Sequence, residues 1–376
     1  MSRLEELIQQ HCPNGVEYKK LGDVCDLVRG TRVVKKDLSA DGTYPVYQNS
    51  LKPLGYYDQY NRSEETTFII CAGAAGDIGY SKVKFWSADD CFSVICPETI
   101  SNRYIFYCLL SQQNRIYSQV RKASIPRLSH SAVEALHIPV PPLPVQEEIV
   151  RILDNFAELQ AELQAELQKR LQQYNYYRDK LLSFNDLNGG GYAVGVEWKK
   201  LGEICNLSRG KVYSKSYIEE NAGEYPVYSS QTANNGELGR ISTYDYDGEY
   251  LTWTTDGAYA GTIFYRKGKF SITNVCGLIS PKEDNLNIKF LFYWLSIKAP
   301  DYVYRGMGNP KLMSNQMEPI KVPIPPLAEQ QRIVDILDKF YTLTADLTAG
   351  LPAEIEARQK QYEYYRDQLL TFKQKA

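Results

Sequence analysis

The stretch IPVPPLPVQEEIVRILDNF occupies residues 138–156, and VPIPPLAEQQRIVDILDKF occupies residues 322–340. In both, the prolines end whatever element precedes them, because proline fits neither a central strand nor a helix interior. A segment with apolar residues at steps of three or four follows each proline cluster. In the first copy this pattern reaches Phe184 with an average step of about 3.5 residues, the coiled-coil period. Each copy therefore predicts a long amphipathic helix.

These two stretches belong to a repeat that spans the chain. Four further pairs of similar segments occur in the same order in both halves. They are VEYKKLGDVC (16–25) and VEWKKLGEIC (196–205), YPVY (44–47) and YPVY (225–228), VICPE (94–98) and LISPK (278–282), and YNYYRDKLLSF (174–184) and YEYYRDQLLTF (362–372). The chain is thus one module used twice, with a period too long for a solenoid. The segments between these matches differ, so the halves share a scaffold and differ in surface loops.

We predict an α+β protein with two repeated mixed α/β domains, each followed by a long helix. The two helices should pair as an antiparallel coiled coil within one chain, and a homodimer through a single seam is the alternative. The predicted segments are a short N-terminal helix region (1–14), domain 1 (15–145), helix 1 (146–187), domain 2 (188–328) and helix 2 (329–376). Gly350 and Pro352 should interrupt helix 2 near residues 348–352.

Composition excludes several classes of protein. The sequence lacks a run of about 18 apolar residues and the apolar core of a signal peptide, which predicts a cytoplasmic protein. The eight cysteines show no framework spacing and the histidines number three, so reduced thiols are expected and a metal site is not. The 43 basic and 45 acidic residues nearly cancel, although nucleic-acid-binding proteins usually carry a basic excess. Within that balance, basic residues cluster at corresponding positions of the two domains.

A search for catalytic motifs gives none. There is no phosphate-binding loop of the G-x-x-x-x-G-K-[ST] type and no Asn-Pro-Pro-Tyr motif of a base methyltransferase. AGAAGDIG (72–79) and DGAYAGTI (256–263) are rich in glycine but lack the dinucleotide-binding spacing. They fit a turn at which backbone approaches another backbone or a phosphate, or an ordinary tight turn. We therefore predict no catalytic residue and no cofactor or metal site in this chain.

The repeated junction "IP-x-PPL-x-x-Q", the segments CPNGVEYKKLGDV and VGVEWKKLGEI, and the helix ends YYRDKLLSF and YYRDQLLTF together resemble the specificity subunit of type I restriction-modification systems. The resemblance covers essentially the whole chain. It implies that each domain is a target-recognition domain reading one half of a bipartite DNA sequence. It also implies that the long helices are a spacer and a docking surface for two adenine methyltransferase subunits, and that restriction subunits join the complex. S-adenosylmethionine, ATP and Mg would then be bound by those partner subunits.

Candidate DNA-contacting residues follow from the basic clusters and the variable loops, because Arg, Lys, Asn and Gln suit base edges and phosphates. In domain 1 they are Arg29, Thr31, Arg32, Lys35, Lys36, Gln48, Asn49, Ser50 and Arg127. In domain 2 they are Arg209, Lys211, Tyr213, Lys215, Ser229, Ser230, Gln231, Thr232 and Lys311. Two other hypotheses remain: a coiled-coil scaffold whose globular ends bind proteins, and an enzyme with an unrecognised site.

Overall fold

The computed structural model describes residues 2–39, 41–184, 196–306, 308–345 and 350–375. The chain divides into two compact units. Unit 1 contains Met1–Ala165 and Ala353–Ala376, and unit 2 contains Glu166–Pro352. These units do not follow the two sequence modules. Each unit combines one globular domain with the first part of that domain's long helix and with the last part of the other module's helix.

The elements that begin in unit 1 are as follows. The helices are α1 (Arg3–His11), α2 (Leu21–Val24), α3 (Asn102–Ser111), α4 (Gln113–Ser118), α5 (His130–Glu134) and α6 (Leu143–Leu181). The strands are β1 (Tyr18–Lys20), β2 (Asp26–Arg29), β3 (Tyr44–Tyr47), β4 (Gly55–Tyr57), β5 (Thr66–Ile70), β6 (Ile78–Ser81), β7 (Trp86–Ser87), β8 (Cys91–Ile95) and β9 (His137–Pro139). A 3₁₀ turn covers Lys35–Asp37.

The remaining elements repeat this order. The helices are α7 (Leu201–Ile204), α8 (Lys215–Glu220), α9 (Ile288–Lys298), α10 (Ser314–Met317), α11 (Leu327–Ala345) and α12 (Leu351–Leu369). The strands are β10 (Glu197–Lys200), β11 (Cys205–Arg209), β12 (Ala222–Tyr228), β13 (Glu237–Ile241), β14 (Tyr246–Thr254), β15 (Ile263–Ile272), β16 (Cys276–Pro281) and β17 (Lys321–Ile324). Further 3₁₀ turns cover Ala233–Gly236 and Ala299–Tyr302.

The two globular domains use the same strand pairing with one difference. Unit 2 has a six-stranded sheet in the order β11-β16-β14-β15-β12-β13, in which the end of β15 pairs in parallel with β12. In unit 1, β6 stops at Ser81 and the chain rejoins a strand only at Trp86, which begins β7. The sheet is therefore split into β2-β8-β5-β6 and β4-β3-β7. A small antiparallel ribbon, β1-β9 or β10-β17, closes each domain beside its long helix.

Each core forms between the sheet, one apolar helix and the start of a long helix. In unit 1 Ile69 of β5 and the buried residues of α3 pack with Val145, Ile149 and Leu153 of α6. In unit 2 the corresponding core contains Trp253 and the buried face of α9, together with residues of α11 such as Ile333. The apolar helices α3 and α9 occupy equivalent positions in the two domains. Both helices bury most of their apolar residues.

The long helices match the period deduced from the sequence. Helix α6 is 39 residues long, and it begins three positions before the predicted start. Pro144 lies in its first turn, where the missing N–H costs nothing. In the second copy α11 ends at Ala345 and α12 begins at Leu351. The predicted interruption near 348–352 falls partly on residues 346–349, which lie outside the described part of the chain.

Helix pairing within each unit joins the two modules. In unit 1 Phe156 stacks on Tyr365 with ring centroids 5.6 Å apart, and Gln160 Nε2 donates to Gln359 Oε1 at 2.7 Å. Since residue numbers rise along α6 as they fall along α12, this pair is antiparallel. In unit 2 the equivalent rings, Tyr177 and Phe340, stack at the same 5.6 Å. The predicted antiparallel pairing of the long helices is confirmed.

The two ends of the chain meet in unit 1. The Val16 N–H donates to the Lys373 carbonyl at 2.8 Å, and the Lys375 N–H donates to the Val16 carbonyl at 3.0 Å. Tyr18 adds side-chain hydrogen bonds to the backbone of Phe372. The C-terminal segment thus completes the domain that the N-terminal segment begins. Among the described helices, none is both long and apolar enough to cross a membrane.

Candidate nucleic-acid interface

An Arg-Gly pair ends the first sheet strand of each domain. Arg29 and Arg209 are the last residues of β2 and β11, and both side chains are exposed. The glycine that follows each arginine lies against a neighbouring backbone. A Cβ on Gly30 would approach the Ala88 carbonyl to 2.1 Å, and one on Gly210 would approach the Ile272 carbonyl to 1.9 Å. Because the neighbouring backbone leaves no room for a Cβ, only glycine fits after each arginine. This contact between backbones fixes the position of the strand end that carries the arginine.

A second cation lies beside this arginine in each unit. In unit 1 the Leu128 N–H donates to the Cys71 carbonyl at 2.9 Å, which places the loop carrying Arg127 next to the end of β5. Burial raises the pKa of the Cys71 thiol to about 11, and the charges of Arg29 and Arg127 both oppose that rise. The two arginines therefore lie near the same strand end.

Unit 2 repeats this arrangement with different residues. Thr255 stands where unit 1 has Cys71. Its carbonyl accepts from the Leu312 N–H at 2.8 Å, and its hydroxyl accepts from Arg209 Nη2 at 3.4 Å. Lys311, the neighbour of Leu312, takes the position of Arg127 and pairs with Asp256 in an isolated bridge. Each domain thus carries two exposed cations at one strand end.

The glycine-rich turns border these cations. Gly73 and Gly76 in unit 1, and Gly257 and Gly261 in unit 2, all have positive φ angles between 86° and 96°, which favour glycine. A Cβ on Gly73 would meet Asn49 at 2.8 Å, whereas one on Gly257 would meet nothing within 4 Å. The sequence left open whether these segments approach another backbone or form ordinary turns. The structure shows tight turns, with a close backbone approach in unit 1.

The variable loops that carry Asn49 and Ser230 contact the glycine-rich turn or the strand end beside it. The Asn49 carbonyl accepts from the Ala74 N–H at 2.9 Å, and the Ser230 hydroxyl accepts from the Thr255 N–H at 2.9 Å. We call the assembly in each unit the glycine-turn site. In unit 1 it comprises Arg29, Asn49, Arg127 and residues 72–76. In unit 2 it comprises Arg209, Ser230, Lys311 and residues 256–261.

The other candidates of domain 1 lie outside the glycine-turn site or contribute backbone groups. Arg32, Lys35 and Lys36 are exposed on the segment after β2. Thr31 is held through its backbone, since its carbonyl accepts from Trp86 Nε1 at 2.8 Å. The two neighbours of Asn49 are also engaged: the Gln48 carbonyl accepts from Cys91 Sγ at 3.0 Å, and Ser50 Oγ donates to the Lys52 carbonyl at 3.1 Å.

Several candidates of domain 2 are hydrogen-bonded inside the domain. Ser229 Oγ accepts from Thr273 Oγ1 at 3.0 Å, Ser230 Oγ donates to the Val275 carbonyl, and Gln231 Nε2 donates to the Glu237 carbonyl at 2.5 Å. These hydrogen bonds stabilise the conformation of the loop. Thr232 is half-buried next to them, and Lys215 is exposed at the start of α8.

Lys211 and Tyr213 share a carboxylate that no sequence pattern singled out. Lys211 Nζ lies 2.6 Å from Asp245 Oδ1, and Tyr213 Oη donates to Asp245 Oδ2 at 2.6 Å. Burial opposes the charge of Asp245, but the hydrogen bonds from Lys211 and Tyr213 outweigh it and lower the pKa of this carboxyl. Asn61 takes the corresponding place in unit 1, where its amide bonds both the N–H and the carbonyl of Ser87.

Arg266 is a second residue that the sequence patterns did not reveal. It is 2% exposed, its Nε donates to Thr252 Oγ1 at 3.1 Å, and its guanidinium lies 3.6 Å from the centre of the Tyr228 ring. Burial lowers its pKa. Unit 1 has Ser81 at this place in the hairpin. Alignment of the two modules on the shared tyrosines Tyr80 and Tyr265 would have shown the substitution, though not its burial.

The glycine-turn sites can bind anionic and polar groups. The two exposed cations of each unit, with the exposed amide side chain of Asn49 in unit 1, are groups of the kind that contact phosphates and base edges in DNA. Among the described residues, no group of three or more His, Cys, Asp or Glu side chains is arranged to hold a metal ion.

A family model described as the type I restriction modification DNA specificity domain matches this chain twice, over residues 13–173 and 193–357. The chain belongs to this family. A type I restriction enzyme specificity subunit of Haemophilus influenzae is 32% identical over 98% of both chains. A type I specificity subunit of Mycoplasma pneumoniae is 46% identical over 61% of this chain and 91% of its own length. These matches confirm the resemblance seen in the sequence, including the role of a non-catalytic specificity subunit.

Solved structures support the fold. The S subunit of a type I restriction-modification system from M. genitalium aligns with a TM-score of 0.67, over 95% of this chain and 96% of that chain, at 19% identity. The two specificity domains, the mixed sheets and the long helices therefore form a known architecture.

Proposed function

We propose that this specificity subunit reads a bipartite DNA target, with one half-site contacted by each globular domain through its glycine-turn site. The observation that carries the proposal is the duplication of one specificity domain with a retained scaffold and different loops. Two equivalent surfaces with different side chains fit two short, different half-sites. Base reading requires side chains that differ with sequence, whereas phosphate contacts require only positive charge.

In this proposal the chain contributes recognition and its partners contribute chemistry. Two adenine methyltransferase subunits dock on it, one for each unit, and bind S-adenosylmethionine. Restriction subunits that use ATP and Mg join the same complex. Support comes from membership in the family and from the repeat, since two equivalent units suit two copies of one partner. The working place of such a complex is the cytoplasm, where chromosomal and incoming DNA are both accessible.

Charge supports a division of DNA binding among the subunits. The formal net charge is −2, while nonspecific DNA binding needs phosphate neutralisation by Lys and Arg. The exposed cations of the glycine-turn sites are few. We therefore expect the isolated chain to bind DNA weakly and the complex with methyltransferase subunits to bind with high affinity and strong salt dependence.

The test is selection of DNA by the purified complex from a library of random duplexes. We expect two short conserved blocks separated by a fixed unread gap. Recovery of sequences without any common motif would contradict the proposal. Binding of the isolated chain to proteins, with no salt-dependent DNA binding by the complex, would favour the scaffold hypothesis instead. If the isolated chain methylated DNA with S-adenosylmethionine, the chain itself would be an enzyme, as the third hypothesis states.

A further inference from the structure

In each unit a cluster of three polar side chains joins the globular domain to its long helix. In unit 1 it consists of Arg103 and Tyr107 on α3 with Asp154 on α6. In unit 2 it consists of Lys289 and Tyr293 on α9 with Asp338 on α11. We call these clusters the junction clamps. None of their six residues belongs to the glycine-turn sites.

The clamp of unit 1 is fully connected. Arg103 Nε donates to Asp154 Oδ1 at 2.8 Å, and the Tyr107 hydroxyl donates to the same oxygen. Arg103 Nη2 also donates to the Tyr107 hydroxyl at 3.2 Å. The guanidinium of Arg103 lies 4.3 Å from the centre of the Tyr80 ring. The aspartate on the long helix thus holds two side chains of α3 and, through Arg103, contacts the hairpin of β5 and β6.

The clamp of unit 2 repeats the two contacts to the aspartate, with a lysine in place of the arginine. Lys289 Nζ lies 2.5 Å from Asp338 Oδ2, and Tyr293 Oη donates to Asp338 Oδ1 at 2.6 Å. Lys289 Nζ is 5.4 Å from the centre of the Tyr265 ring. The charge, the phenol and the carboxylate therefore recur at equivalent positions, although the loops of the two domains have diverged.

Stability alone does not account for this retention. The Arg103 and Asp154 side chains are 18% and 44% exposed, and those of Lys289 and Asp338 are 38% and 35% exposed. Partly exposed ion pairs add little to folding free energy. Their directional hydrogen bonds, by contrast, fix the orientation of the elements that carry them.

A second attachment point lies closer to the start of each long helix. Gln146 is fully buried, its Oε1 accepts from the Ser101 N–H at 2.9 Å, and its Nε2 donates to the Pro141 carbonyl at 2.7 Å. Gln330 makes the equivalent bonds to Asn287 and Pro325. The glutamine and the clamp aspartate are separated by about 12 Å along the helix, at roughly 1.5 Å per residue.

From these two attachments we infer that the junction clamps set the angle of each globular domain on its long helix and thereby define the gap between the half-sites. The inference rests on the proposed bipartite function. With the clamp broken, the domain keeps its glutamine attachment and its apolar contacts with the long helix, and only its tilt on that helix becomes less restricted. Since displacement grows with distance from the point of attachment, a small tilt of the domain shifts its glycine-turn site along DNA whose base-pair steps are roughly 3.4 Å. The clamp residues are therefore positioning residues.

The experiment uses the full chain in complex with its methyltransferase subunits. Duplexes carry the two half-sites found by selection, with the cognate gap or with gaps one or two base pairs shorter or longer. Asp154→Asn and Asp338→Asn each remove a clamp charge without changing the size of the side chain. Glu158→Gln on α6 and Asp335→Asn on α11 are matched controls, since both residues are exposed on the same helices.

We expect methylation at gaps changed by one base pair, relative to the cognate gap, to rise at least about tenfold in each clamp variant. The bases preferred within the half-sites should not change, and the controls should keep the wild-type gap profile. Tyr107→Phe removes only a hydroxyl and should give a smaller rise in the same direction. If Asp154→Asn fails to fold, the gap profile of Tyr107→Phe tests the inference in its place.

An unchanged gap profile in the clamp variants would overturn the inference, even if total methylation fell, because the clamps would then be structural only. Altered base preference within a half-site would also overturn it, since that result would make the clamp residues readers. Failure of the proposed function has a different signature: the wild-type complex itself would show no preference for a bipartite sequence.

Discussion

The two units are built alike and differ at the glycine-turn sites, through which we propose that they contact DNA. The buried glutamines Gln146 and Gln330 make matching hydrogen bonds, whereas the glycine-turn sites carry Asn49 in one unit and Ser230 in the other. Unit 1 splits its sheet after β6, but unit 2 continues through β15 and buries Arg266. The comparison teaches that scaffold positions can be recognised by their repetition and reading positions by their divergence. Equivalent changes should thus have equal effects in the scaffold and separate effects in the reading surface.

The largest effect is expected in the scaffold. Gln146→Leu leaves the Ser101 N–H and the Pro141 carbonyl without their partner in a buried place, at about 1–3 kcal/mol for each group. Gln330→Leu should destabilise unit 2 by a similar amount. Hydrogen exchange followed by mass spectrometry reports each unit separately, which a single melting temperature does not. If one variant were neutral and the other disruptive, the two scaffolds would not be equivalent.

The next effect separates the two reading surfaces. Arg29→Ala combined with Arg127→Ala should reduce discrimination at one half-site by about 1–3 kcal/mol for each arginine that hydrogen-bonds a base edge. Discrimination at the other half-site should stay unchanged. Competition binding with duplexes mismatched in one half-site measures both. Lys82→Ala, which removes an exposed cation elsewhere in unit 1, is the control. Equal weakening of discrimination at both half-sites would contradict the assignment of one site to each unit.

A smaller effect depends on pH and concerns unit 2 alone. The pKa of Asp245 is lower in the folded protein, so its contribution to stability is complete above the ordinary Asp value of about 3.9. That contribution is lost as the pH falls through the lowered value. Unit 2 should therefore lose protection below about pH 4 in wild type, and this loss should diminish in Asp245→Asn. Unit 1 has the neutral Asn61 at this position and loses protection in acid only through other carboxyls, such as Glu148, whose pKa is lowered by Arg151. Its acid response in hydrogen exchange should therefore be the same in wild type and variant, which makes it the internal control. The same acid response in the variant would show that other carboxylates cause it.

The smallest effect concerns exposed lysines outside the glycine-turn sites. Lys36→Ala and Lys215→Ala should each weaken DNA binding by the complex to a similar degree for all sequences. If each lysine contacts one phosphate, the slope of log affinity against log salt concentration falls by about 0.9. Titrations at several salt concentrations measure this slope. A change in preferred bases would instead identify these residues as readers.

Much of this organisation could be predicted from the sequence. The apolar period of the segment ending at Phe184 and the five matched segments predicted two α/β domains and paired long helices, because repetition and periodicity survive in a single sequence. The composition of the units could not be predicted. It depends on Phe156 stacking on Tyr365, an interaction between distant residues that no local pattern encodes.

The candidate site could be predicted only in part. The basic positions shared by both modules lie together in pairs within each unit, Arg29 with Arg127 in unit 1 and Arg209 with Lys311 in unit 2. The side chains of Ser229, Ser230 and Gln231 form internal hydrogen bonds instead, because irregular loops have no periodicity from which the direction of a side chain follows. Asp245 was missed for the same reason, whereas Arg266 was missed because its position in strand β15 does not by itself reveal that its charge is buried. The DNA roles of the candidate residues stay predictions.

The central claim is that one chain specifies two half-sites at a fixed separation. Genome-wide mapping of methylated adenines, in cells that carry this subunit with its methyltransferase subunits, tests it most directly. We expect a single bipartite motif: two short specific blocks, a gap of constant length, and one methylated adenine in each block. A contiguous motif, or two half-sites methylated independently at variable separation, would contradict it.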